Sequence, residues 1–256
     1  MKKLYPFVFL LLIICCLTSC VDIEESYNFK ADGSCSVVYG FDMSHAVSIL
    51  KNLVSDSLQN SPQFSMVKDT SLNFYNALPD STQQKLTVDE ANMAKASNLG
   101  VKMNLKESIM KISISHVAKN YADLQYYLDH ISKISMNSHL NGMDKSSNAS
   151  AIKFDTRQIM AGEDYYVYEV TPHKFYRVID KAKFTAFLKK TSSTLAMAKA
   201  MLIDMPYKVV LNFAHPVKKI DNKQATLSAD RKHVTLITNM DEVIKDPNIM
   251  NLKIEF

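Results

Sequence analysis

An α+β fold with a largely antiparallel sheet, about three long helices and an N-terminal β-hairpin is the prediction for this 256-residue chain. Three observations make it. Segments of strict two-residue alternation recur and are mostly joined by short turns. Three stretches carry apolar residues at helical spacing, and strands read at both ends of the folded part, which disfavours a βαβ succession. With 47% hydrophobic and 22% charged residues the chain can bury a real core, and its length fits a single domain, read here as 27–256. Only five glycines occur, and no two make a phosphate-binding loop or a nucleophile elbow.

Tyr27 and Phe29, then Val37, Tyr39, Phe41 and Met43, alternate with polar or small neighbours around Ala31-Asp32-Gly33, the pattern of a hairpin. A two-residue turn would throw the two apolar sets onto opposite faces. A three-residue turn with Gly33 left-handed puts Phe29 opposite Cys35 and Tyr27 opposite Val37, so register selects it and places Cys35 inside. Ser44 is the expected cap of a helix burying Ala46, Val47, Ile49, Leu50, Leu53, Val54 and Leu58. The stretch from Asn60 to about Leu86, with Pro62 and Pro79, reads as a connection with some strand content.

Thr87-Val88-Asp89-Glu90 has the spacing of a capping box for a short helix to about Asn98. Strands follow at Gly100 to Leu105 and Ile109 to Val117. Asn120 caps a second long helix through Leu124, Leu128, Ile131 and Ile134. The Ser- and Asn-rich stretch near 137–150, with Gly142, is expected to be a mobile loop. Strands at Ala151 to Thr156, Tyr165 to Thr171 and His173 to Ile179 precede a third helix, from Lys181 to about Asp204, which Pro206 ends. A strand through Val209, Leu211 and Phe213, a hairpin at Thr226 to Ala229 and His233 to Thr238, and a strand to Phe256 complete the chain.

Ahead of this domain, Lys2 and Lys3 precede fourteen mostly apolar residues, Leu4 to Leu17. That run is short for a membrane span, which needs ~20 residues, and reads as the apolar part of a secretory signal. Leu17-Thr18-Ser19-Cys20 then resembles the lipobox of bacterial type II signal-peptide lipoproteins. The resemblance implies that 1–19 is a signal peptide, cleaved between Ser19 and Cys20, and that the Cys20 thiol carries a diacylglyceryl group. The acid-rich residues after Cys20, in 20–26, read as a tether. They resemble the export signal of Bacteroidota lipoproteins, which implies the outer membrane, on its periplasmic or cell-surface face. Cys15 and Cys16 would leave with the leader, so no disulfide is expected within the mature chain.

Candidate chemistry is sparse. The seven histidines include no pair spaced four apart, and neither HExxH nor CxxC occurs, so no metal and no cofactor is expected. Glu163, Asp164, Glu169 and Asp180 flank Tyr165, Tyr166 and Tyr168, a combination that glycosidases and glycan-binding surfaces use, with His173 and His215 as the nearest histidines for a hydrolase. Alternation sends Tyr166 and Tyr168 to the core and leaves Tyr165 outward. Lysine clusters at Lys181-Lys183, Lys189-Lys190 and Lys218-Lys219-Lys223 read as solvated faces. With three arginines in the chain, nucleic acid is not an expected partner. The sequence therefore predicts a membrane-anchored, non-enzymatic binding or structural module, its partners the bilayer through acylated Cys20 and an envelope protein or glycan. An envelope hydrolase using 163–180 is the alternative.

Overall fold

A computed structural model describes residues 21–62, 64–65, 67–136, 164–200 and 205–256. The leader with Ser19 and Cys20, the loop near 137–150, the strand at 151–156 and Glu163 lie outside the described residues. The fold is α+β with a mostly antiparallel sheet, as the pattern predicts.

Strands β1 (Asp22–Phe29) and β2 (Cys35–Asp42) form the hairpin, with Phe29 opposite Cys35 and Tyr27 opposite Val37. The Lys30 amide donates to the Ser34 carbonyl and the Gly33 amide to the Lys30 carbonyl. Gly33 has φ 83°, the left-handed conformation that only glycine adopts at little cost. One boundary is corrected: residues 22–26, expected to be tether, are the first half of β1. Val21, Ile23 and Glu25 continue the buried face of Tyr27 and Phe29. The strand also bonds on both edges, to β2 antiparallel and to β8 (Pro206–Asn212) parallel, so no free tether remains there.

Helix α1 (Ser44–Leu53) is capped differently from expectation. Asp42 Oδ1 accepts the Ser44 amide at 2.9 Å, while the Ser44 hydroxyl accepts the amide of Met110 at 3.1 Å, so Ser44 ties the helix to the neighbouring strand instead. Val47 packs with Phe64 and Leu105 in a small satellite cluster. An edge strand, β3 (Val67–Asn73), emerges from the long connection. Helix α2 (Val88–Lys95) has the predicted capping box, with Glu90 accepting the Thr87 amide and Thr87 accepting that of Glu90. It ends three residues early because the Ser97 hydroxyl donates to the Met93 carbonyl at 2.8 Å and Ser97 opens β4 (Ser97–Asn104).

After β5 (Ile109–Ala118), α3 (Tyr121–Met136) is capped by Asn120, whose Oδ1 accepts the Asp123 amide. Strands β6 (Tyr166–Thr171) and β7 (Lys174–Ile179) lead to α4 (Lys181–Ala200). The chain returns through β8, short strands β9 (Lys219–Ile220) and β10 (Thr226–Leu227), then β11 (His233–Asn239) and β12 (Leu252–Glu255). A six-residue helix, α5 (Met240–Lys245), was not expected; it is too short to show a helical period in sequence.

The strands make two sheets. One has eight strands in the order β10-β11-β8-β1-β2-β5-β4-β3, and the other has four in the order β6-β7-β12-β9. All described pairs are antiparallel except β1 with β8. The sheets face each other through aromatic rings. Phe29 stacks on Phe213 at 4.9 Å between centroids, and meets Phe175 at 5.7 Å and Phe256 at 5.5 Å. Tyr27 meets Phe175 at 5.0 Å. One continuous apolar cluster runs between the sheets and against α3.

Candidate functional site

The most unusual chemistry of the described residues lies inside this core. Glu25 of β1 is 1% exposed and Arg177 of β7 is 0% exposed, although such charges are almost never fully buried unless paired. Here they are paired. Arg177 Nη2 donates to Glu25 Oε1 at 2.9 Å and to the Tyr207 hydroxyl at 3.0 Å. The Tyr207 hydroxyl donates to the same carboxylate oxygen, and the Tyr27 hydroxyl donates to Glu25 Oε2 at 2.9 Å. The guanidinium carbon lies 3.6 Å from the centre of the Tyr166 ring. Among the described residues Arg177 Nε and Nη1 have no hydrogen-bond partner; the ring face of Tyr166 provides the electrostatic contact on that side.

Burial pushes the Glu25 carboxyl above its ordinary range, against the opposing pull of Arg177 and the Tyr27 hydroxyl. Burial also drives the Tyr166 phenol well upward. Burial is the largest single influence on Arg177 and acts against its charge, but Glu25 together with the surrounding Tyr166, Tyr168 and Tyr27 outweighs it and holds the guanidinium in its charged form. The cluster is sealed, so no substrate reaches it. What it can do is fix geometry: β1 and β8 of the large sheet and β6 and β7 of the small one each contribute a side chain, and only one register lets them meet.

A second buried polar pair lies on β4 and β5. Ser97 Oγ is 2.9 Å from His116 Nδ1, and the imidazole stacks on Tyr127 with centroids 4.1 Å apart. The pairing resembles a serine nucleophile beside its base, but Ser97 is 0% exposed and its hydroxyl hydrogen is committed to the Met93 carbonyl. His116 Nδ1 must therefore donate to Ser97, which leaves Nε2 as a buried acceptor without a partner among the described residues. Burial holds the imidazole down at about 4, against the opposing pull of the Asp123 carboxylate.

This pair has a testable consequence for stability. The folded pKa lies below the unfolded value of 6.5, so the unfolded chain takes up the proton first, and the neutral imidazole's contribution is complete above pH 6.5. It is lost as pH falls toward about 4. Between pH 7 and pH 4.5 the wild type should lose about 2–3 kcal/mol more stability than His116→Phe, which keeps the stacking and cannot titrate. Urea unfolding at the two pH values reads this difference. Equal losses in the two proteins would show that His116 is not the group responsible.

Of the described residues that the sequence proposed for a hydrolase, Asp164 and Asp180 come near each other at the start of α4, where the Asp180 amide donates to the Tyr165 carbonyl, while Glu169 and His173 lie toward the β6–β7 turn. Asp180 Oδ1 caps α4 by accepting the amides of Ala182 and Lys183. Asp164 pairs with Lys183 at 3.8 Å and Glu169 with Lys174 at 3.5 Å. His173 lies in the exposed β6–β7 turn and His215 in an exposed loop after β8. Tyr165, expected to point outward, is 2% exposed. It precedes the strand, and its ring turns onto Phe184 at 4.9 Å and Phe187 at 5.0 Å of α4, so helix packing overrides simple alternation.

An open depression of about 340 Å³ lies between Asn222, Asp246, Asn251 and Lys253. Asn222 already donates to the carbonyls of Ile249 and Asn251, and Asp246 accepts the Asn248 amide, so its polar groups serve the loops that form it. Among the described residues no cluster of three His, Cys, Asp or Glu is placed to hold a metal, and no helix is long and apolar enough to cross a membrane. No protein-family model, curated protein or solved structure matches the chain.

Sequence reasoning passed over Glu25, Arg177, Ser97 and His116, yet each carried a signal. Each stands in phase with apolar residues of its strand: Glu25 between Ile23 and Tyr27, Arg177 between Phe175 and Ile179, Ser97 before Leu99, and His116 between Ile114 and Ala118.

Proposed function

We propose that this protein is a cell-envelope lipoprotein of the outer membrane, held by acyl chains on Cys20, whose folded part is a non-enzymatic binding or structural module. The observation that carries the reading is Leu17-Thr18-Ser19-Cys20 at the end of the apolar run Leu4 to Leu17. Two or three acyl chains, at ~0.8 kcal/mol per buried CH₂, anchor a protein stably where one would hold it marginally. The folded part supports the assignment of the thiol. Cys35 is 1% exposed, and burial pushes its thiol up to about 12, so it is a poor nucleophile. After cleavage Cys20 is the cysteine left for acylation. The helix cap made by Asp180 and the surface ion pairs of Asp164 and Glu169 give no specific support to a hydrolase.

Cells fed labelled palmitate test the anchor. The wild type should incorporate label, and Cys20→Ala should incorporate none and retain Met1 to Ser19. A variant that still takes up label and matures normally would refute the lipid anchor.

A further inference from the structure

We infer that the end of the eight-stranded sheet at which β1 begins rests against the lipid headgroup layer, with the strands standing upright on the membrane. This rests on the proposed lipid anchor at Cys20. Its independent support is where the fold begins. Val21, the next residue, is 8% exposed, and β1 starts at Asp22. Two peptide units, which can span at most ~7 Å, separate residue 20 from the first residue of β1. An acylated Cys20 lies at the membrane surface, so the start of β1 lies there too.

The place of β1 in the sheet then sets the orientation. It is the fourth of eight strands, so the anchor emerges near the middle of the sheet end and the strands extend on both sides of it. The neighbouring register puts specific segments at that level. The end of β2 is there because Asp22 faces Asp42, and the start of β8 because Ile23 faces Tyr207. The start of β5 follows, since Asp42 faces Lys111, and with it the turn Leu105–Glu107 that joins β4 to β5. Helix α1 runs at the same end, with Lys51 Nζ donating to the Lys106 carbonyl at 2.6 Å.

The surface so placed carries charges of both signs, beside the exposed Val67 at the start of β3. Lys111 pairs with Asp42 at 2.7 Å, Lys208 with Glu24 at 3.2 Å and Lys102 with Asp69 at 3.5 Å, all at least partly exposed, and Lys106 is exposed. Interspersed cations and carboxylates suit contact with headgroups that carry both a phosphate and an ammonium, and do not suit insertion into hydrocarbon. The opposite end, with the turn at Ala31 and the residue after β5, Lys119, stands about 25 Å away, the length of an eight-residue strand at ~3.4 Å per residue.

The chain contains no tryptophan, so single introduced indoles report position directly. Full-length lipidated protein carrying Lys106→Trp or Glu107→Trp, and separately Ala31→Trp or Lys119→Trp, would be reconstituted into phosphatidylethanolamine–phosphatidylglycerol vesicles with headgroup-nitroxide lipid. All four positions are exposed, and the paired variants at each end guard against one that misfolds. Quenching at Lys106 and Glu107 should exceed that at Ala31 and Lys119 several-fold. Protein that floats with the vesicles but is quenched equally at both ends, or more at Ala31 and Lys119, overturns the orientation and leaves the anchor intact. Protein that does not float with them overturns the anchor and the orientation together.

Discussion

Arg177→Met is expected to destabilise the protein by about 3–5 kcal/mol, because it removes one partner of a buried ion pair and leaves the other without its counter-charge. Glu25 would keep the hydroxyls of Tyr27 and Tyr207, which are neutral donors and replace only part of what the guanidinium supplies. The double variant Glu25→Met/Arg177→Met should be less destabilised than the sum of the two single changes, and less than Arg177→Met alone. A buried pair exchanged for apolar groups of similar volume is often near neutral. The remaining cost is that of two tyrosine hydroxyls left without their acceptor, ~1 kcal/mol each or somewhat more. Urea unfolding followed by far-ultraviolet circular dichroism measures all three. Additive single costs would show that the pair is not energetically coupled and that its burial is incidental.

Phe29→Ala is expected to cost a similar amount, about 3–5 kcal/mol, through loss of buried area and the cavity that remains. The ring is 3% exposed and lies at the centre of a cluster drawn from both sheets and α3. Phe213 is stacked on one face at an interplanar angle of 4°, with Phe175, Phe256 and Tyr121 around it. Phe256 already packs on Phe213 at 4.6 Å and lies 6.4 Å from Tyr121, so these rings cannot collapse far into the vacated space and the upper part of the range applies. The unfolding midpoint should fall with the slope unchanged. A loss under ~1.5 kcal/mol would mean that the two sheets do not share a single cooperative core.

These two residues also show what a sequence can and cannot disclose. The hairpin register around Phe29 is legible, because alternation and a glycine-containing turn are local and admit one solution. The capping box at Thr87 and Glu90 and the cap at Asn120 are legible for the same reason. The parallel pairing of β1 with β8 is not, since Ile23 and Tyr207 are brought together by tertiary packing and no periodicity records it. Glu25 was masked by its neighbours: beside Asp22 and Glu24 it reads as one of a solvated acidic run. Its phase tells more than its charge. It occupies the inward set with Ile23 and Tyr27, and an in-phase glutamate on a strand, with an in-phase arginine on another in an arginine-poor chain, is the pattern of a buried pair. Tyr165 failed the other way, because it lies just outside the strand and α4 determines where its ring goes.

The proposed lipid anchor makes the start of β1 the junction between fold and membrane, and it fixes the mature N-terminus. Mass measurement of the N-terminal peptide, from protein extracted out of the cell envelope, tests this most directly. A protein anchored in this way yields a peptide that begins at Cys20 and carries the added mass of a diacylglyceryl group, with or without an acyl chain on the amine. A peptide that begins elsewhere, or one that begins at Cys20 with an unmodified thiol, would contradict it.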